Sequence, residues 1–137
     1  MKNKILSVAV PCYNSQDYMR KCIDSILVGG EEVEIIIVND GSTDDTAKIA
    51  EEYKRMYPSI VKVVHKENGG HGDAVNYGIA NATGFYFKVV DSDDWLSSEP
   101  LKKVLSVLRE FAWAAENEER EPELDVLISN YVYDKVG

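Results

Sequence analysis

Residues 87–97 read FKVVDSDDWLS, so Asp91, Asp93 and Asp94 deliver three carboxylates within four positions directly behind an apolar run. Oxygen ligands crowded in this way suit Mg2+ or Mn2+, which are held by one or two carboxylates and completed by substrate phosphates. Without a cation the cluster repels itself and its members resist ionisation. A divalent ion removes that cost, and beside a reacting phosphate ester it stabilises the departing negative charge as a Lewis acid. Asp91 and Asp93 are the expected ligands.

Three further stretches hold residues of matching chemistry. In PCYN (11–14), Tyr13 offers a ring on which a base can stack. In NDGSTDD (39–45), Asp40 can accept a hydrogen bond from the ring N–H of a pyrimidine. In HKENGGHGDAVN (65–76), Gly69, Gly70 and Gly72 let backbone approach a ligand closely. Each stretch alone reads as a turn or a helix cap. Their convergence on one edge is what would make a site.

The elements in front of them predict that convergence. Runs 5–10, 33–38, 60–64, 84–90 and 124–132 are rich in Val and Ile with little alternation, as strands covered on both faces are. Between them, residues 15–27 repeat apolar side chains at helical spacing, with Asn14 or Ser15 as cap. Residues 41–57 read as a second helix, with Ser42 and Thr43 as caps and Asp44 and Asp45 in its first turn. A third is predicted over 72–82 despite its internal Gly78. A fourth begins at Ser97 or Ser98, with Leu101, Val104, Leu105, Leu108 and Phe111 as its stripe. Residues 115–123 read as a charged loop or frayed helix end. Strand–helix alternation predicts an open, mostly parallel α/β sheet with helices on both faces, whose ligands gather at the carboxyl ends of the strands.

The chain has 137 residues, 45% hydrophobic and 28% charged, which suits one soluble domain or a part of one. A formal charge of −9 argues against nucleic acid or an anionic membrane as partner. An acidic protein still binds an anionic ligand if a cation sits between them. Cys12 and Cys22 lack CxxC spacing and read as reduced thiols. The N-terminal apolar run is broken by Ser7 and Pro11, as in a core strand rather than a signal peptide. No segment approaches the roughly 20 apolar residues of a membrane span. A cytoplasmic location is expected, with the inner membrane face left open for a longer protein.

The blocks VAVPCYNSQDYMRKCIDSIL, VEIIIVNDGSTDDTAKIAEEY and ENGGHGDAVNYGIANATGFYFKVVDSDDWL resemble those of family 2 glycosyltransferases, in the same order and at similar spacing over residues 5–134. The resemblance implies a Rossmann-like GT-A fold and a nucleotide-diphosphate sugar donor, most often UDP-linked. It implies transfer with inversion to a glycan, lipid or other acceptor, as in cell-wall or polysaccharide synthesis. It also implies that Pro11, Cys12, Tyr13, Asn14, Asp40, Gly41, Asn68, Gly70, Asp91 and Ser92 contact the nucleotide sugar. Within that set Asp40 lies near the base and Asp91 near ribose and metal, while Asp93 binds the metal. Two positions depart from the family pattern. Val75 stands where many relatives have Arg, and His71 stands at a commonly apolar position, either facing the diphosphate or solvated. His65 is assigned to the surface.

An inverting transferase needs a base to deprotonate the acceptor hydroxyl. The family places an Asp or Glu well downstream of the DxD, and nothing between Asp94 and Gly137 matches it. The run from Glu116 to Glu123 reads as a solvated face, and Asp134 follows the last strand. The expectation is a donor-binding N-terminal half over 1–137, with the base beyond Gly137 and uncovered surfaces that favour self-association. A rival is a haloacid-dehalogenase-type phosphatase, but Trp95 stands where its Thr or Val would follow the DxD. A dinucleotide-binding dehydrogenase lacks its GxGxxG. A non-catalytic nucleotide-binding or assembly module remains as the alternative from another class.

Overall fold

A computed structural model describes residues 4–117 and 125–126. Five strands, β1 (Leu6–Cys12), β2 (Val33–Asp40), β3 (Val61–Lys66), β4 (Tyr86–Val89) and β5 (Asp125–Val126), form one sheet. Its order is β3-β2-β1-β4-β5, with every neighbouring pair parallel. The helices are α1 (Met19–Leu27), α2 (Thr46–Met56), α3 (His71–Asn81) and α4 (Ser98–Asn117). This is the parallel α/β class expected from the sequence. The chain steps outward from β1 to β3 and then returns to lay β4 on the other side of β1. The strand order therefore reverses between β1 and β4, where such sheets open a crevice at their carboxyl ends.

β1 and β2 are buried along their whole length, which is why their apolar runs lack alternation. Successive residues still face opposite layers. Leu6, Val8, Val10, Ile35 and Ile37 join α1, α2 and α4 in a large core. Ile36 and Val38 meet Ala74 of α3 in a much smaller one. A Cβ at Gly78 would lie 2.5 Å from the Cβ of Ala9. The glycine that weakens α3 as a helix former is what lets it lie close to the sheet.

A buried polar group fastens the far end of α3. Glu34 accepts hydrogen bonds from Ser7 Oγ at 2.8 Å, Thr83 N at 2.9 Å and Thr83 Oγ1 at 2.8 Å. Lys62 Nζ lies 2.8 Å from its other side.

The helix starts differ from expectation. α1 begins at Met19 with no side-chain cap; the carbonyl of Ser15 takes the N–H groups of Tyr18 and Met19 instead. α2 begins at Thr46, so Asp44 and Asp45 precede its first turn, and Asp44 Oδ1 accepts from Thr46 N at 2.9 Å. Ser42 and Thr43 are occupied by the neighbouring loop rather than by capping. In α4 the buried stripe is Leu101, Leu105, Leu108 and Ala112, while Phe111 is 61% exposed. At 3.6 residues per turn Phe111 falls about 80° off the direction of Leu101, at the edge of the buried face. α4 runs on to Asn117 through the start of the expected 115–123 connector. Residues 118–124 and 127–137, with the rest of that connector, most of the 124–132 strand and Asp134, lie outside the described residues.

Candidate functional site

The segment after β4 folds into a tight turn in which Asp94 N donates to Asp91 O at 2.9 Å. That turn gathers its three carboxylates: one oxygen each of Asp91, Asp93 and Asp94 lies within 4.8 Å of the others. Asp93 is exposed, Asp91 half-exposed and Asp94 buried. An all-oxygen donor set of this spacing fits a hard divalent ion, and Asp94 joins the two ligands expected from the sequence. His71, the first residue of α3, brings Nε2 to 2.9 Å from Asp91 Oδ1.

The turn is anchored across the crevice. Ser92 and Ser15 hydroxyls are 2.8 Å apart and buried, joining the segments after β4 and β1. Cys22 Sγ donates to Asp91 O at 3.5 Å from below. The Ser92 hydroxyl is thereby engaged in the frame of the site. The Cys12 thiol faces the core and donates to Val10 O. Burial pushes that thiol up to about 12, against opposing hydrogen bonds from Ser15 and Ser92, and burial raises Cys22 as well. Both thiols stay protonated.

The loops after β1 and β2 are stitched together. Asn14, held at φ 48°, donates its N–H to Ser42 Oγ at 3.0 Å and accepts from Thr43 N at 2.8 Å. Ser15 N donates to Thr46 Oγ1 at 2.8 Å. Tyr13 stands beside this seam with half its surface open, and Pro11 behind it is buried in β1.

Asp40 ends β2 with its carboxylate enclosed. It accepts from Gly69 N at 2.9 Å, Gly70 N at 3.0 Å and Lys66 Nζ at 2.5 Å. Burial alone would raise its pKa, but these three donors outweigh it and hold the carboxyl below its ordinary value. Asn68 Nδ2 donates to Asp40 O at 3.1 Å, and Gly41, at φ +70°, leaves room for the Asn68 backbone. Asp40, Gly41, Asn68 and Gly70 thus form one unit. His65 is exposed, between Asn39 and Glu51, as expected.

The sequence pointed to Asp91, Asp93, Tyr13 and the glycine loop, and the structure brings all of these to the carboxyl end of the sheet. It did not point to Lys66, which meets Asp40 only through folding, or to Asp73, which pairs with Lys66. A Lys closing a strand beside NDG and NGG was the available signal.

The pattern described as Glycosyl transferase family 2 matches residues 7–112. The chain belongs to that family. Relatives include glycosyltransferase GlyA of Streptococcus pneumoniae, 35% identical over 127 residues, which span 92% of this chain and 16% of GlyA. The putative glycosyltransferase EpsH of Bacillus subtilis is 36% identical over 132 residues, or 96% of this chain and 35% of EpsH. The family 2 chain thus spans well under half the length of these relatives. Among solved structures, S. aureus TarS 1–349 superimposes with a TM-score of 0.68 at 34% identity, covering 77% of this chain and 32% of TarS 1–349. The same TarS segment is known in complex with UDP-GlcNAc. The GT-A architecture expected of a family 2 member is the one observed.

Proposed function

We propose that this chain is the donor-binding part of an inverting glycosyltransferase that uses a nucleotide-diphosphate sugar, UDP-linked, together with Mn2+ or Mg2+. The supporting observation is the convergence of the Asp91–Asp93–Asp94 turn, Tyr13 and the Asp40 loop where the strand order reverses. Tyr13 stacks on the base, Asp40 contacts it, and Asp91 lies by the ribose and the ion. Asp93 and Asp91, with Asp94 beside them, hold the ion. When bound, the ion neutralises the diphosphate and the charge on the departing nucleotide. A chain of net charge −9 needs such a cation to accept a diphosphate. The TarS complex with UDP-GlcNAc, at 34% identity, supports a UDP-linked donor here. Donor binding is the share of the reaction that the described residues support.

Calorimetry with UDP, with and without Mn2+, tests this on wild type and Asp93→Ala. Wild type should bind UDP only with metal, and Asp93→Ala should bind no better than wild type does without it. Binding that ignores Mn2+ in a folded sample refutes the metal-dependent site and favours a plain nucleotide-binding module.

A further inference from the structure

Lys66 closes β3 with its side chain only 5% exposed, between two carboxylates: Asp40 Oδ1 at 2.5 Å and Asp73 Oδ2 at 2.6 Å. Its third donor position goes to Glu67 O at 2.5 Å. Asp40, 6% exposed in its side chain, binds Lys66 and the Gly69 and Gly70 amides. The turn is boxed in on both sides. A Cβ at Gly69 would run into the Asp73 carboxylate, and one at Gly41 would meet Asn68 N at 2.6 Å. A carboxylate has about four lone-pair positions, so three donors leave Asp40 with one.

We propose that Lys66 is a positioning residue for base selection: it fixes Asp40 and the Gly69–Gly70 turn so that Asp40 offers an acceptor, and only an acceptor, to the nucleobase. This rests on the donor site proposed above. Lys66 acts through Asp40 and does not touch the base. Uracil carries a hydrogen on N3, whereas cytosine presents a lone pair there. An ionised Asp40 therefore accepts from uracil and repels cytosine. Without the ammonium, Asp40 and Asp73 lose the cation they share, and Asp40, left with the Gly69 and Gly70 amides alone, takes up a proton or turns away. A protonated Asp40 donates to cytosine as readily as it accepts from uracil, so the discrimination collapses while the metal end of the site is untouched.

The test is calorimetry with UDP, CDP and inorganic pyrophosphate, each with Mn2+, on wild type, Lys66→Met, Lys66→Gln and Lys66→Arg, with folding followed by circular dichroism. Wild type should prefer UDP to CDP about tenfold or more. Lys66→Met should bring the two within about threefold, with pyrophosphate affinity unchanged. Lys66→Gln, which keeps a donor and loses the charge, should lie between, and Lys66→Arg should restore the preference. A folded Lys66→Met with the wild-type UDP-to-CDP ratio overturns the proposal. If Lys66→Met does not fold, Lys66→Gln decides by the same criterion. A wild type that binds UDP and CDP equally overturns it too and leaves the donor site standing. A wild type with no metal-dependent UDP binding refutes the donor site itself.

Discussion

The Ser15–Ser92 pair shows how much of the site depends on residues that need not touch a ligand. Its two hydroxyls satisfy each other below the surface, so replacing one leaves the other buried without that partner. Ser92→Ala should lower unfolding free energy by about 1–3 kcal/mol, read by urea denaturation. Glu34 makes a second residue-scale case. Burial alone would raise its pKa, but Lys62, the Thr83 amide and hydroxyl, and Ser7 hold it below its ordinary value of 4.5. A depressed carboxylate contributes stability above its unfolded pKa and loses it as pH falls through the folded one. The wild type should therefore lose stability below about pH 4.5 more steeply than Glu34→Gln, as thermal melts across that range would show. Asp91 and Asp93 were legible because their density is a local fact of sequence. For Cys12 and Ser92, motif membership does not say which way the side chain points. β1 alternates at Cys12 toward the core, and the turn puts Ser92 underneath. The partnership of Lys66 with Asp40 spans 26 positions and is invisible until β2 and β3 lie side by side.

At the scale of elements, strands were read more safely than helix ends. Unbroken Val and Ile runs identify β1 and β2 because both faces are covered. Caps were misplaced because Ser, Thr and Asn serve loop-to-loop contacts as well as helix ends. Asn14, Ser15, Ser42 and Thr46 are all used in the seam between two loops. Gly78 gives the clearest prediction at this scale. Alanine is the better helix former by about 1 kcal/mol, yet its methyl would collide with Ala9. Overpacking of about 1–3 kcal/mol should win, so Gly78→Ala should melt lower than wild type by calorimetry. A higher melting temperature would show that α3 rides more loosely than its packing indicates.

For the molecule as a whole, the sheet carries a thick apolar layer on one side and a thin one on the other. Little apolar area holds α3, so its amides should exchange with deuterium well before those of β1 and β2. UDP with Mn2+ should slow that exchange chiefly at residues 69–74, and mass spectrometry would locate it. No helix among the described residues is long and apolar enough to cross a membrane. What keeps α3 in register is a fastening at each end: Asp40, Lys66 and Asp73 at the rim, and Glu34 with Thr83 at the base. Directional charged bonds of this sort specify a position sharply but depend on ionisation, whereas oily packing does not. Acid below the ordinary carboxylate values of 3.8 and 4.5 should then unbutton the helix while the rest of the sandwich stays shut, and nucleotide affinity should vanish in a sample that still shows a full complement of strand signal.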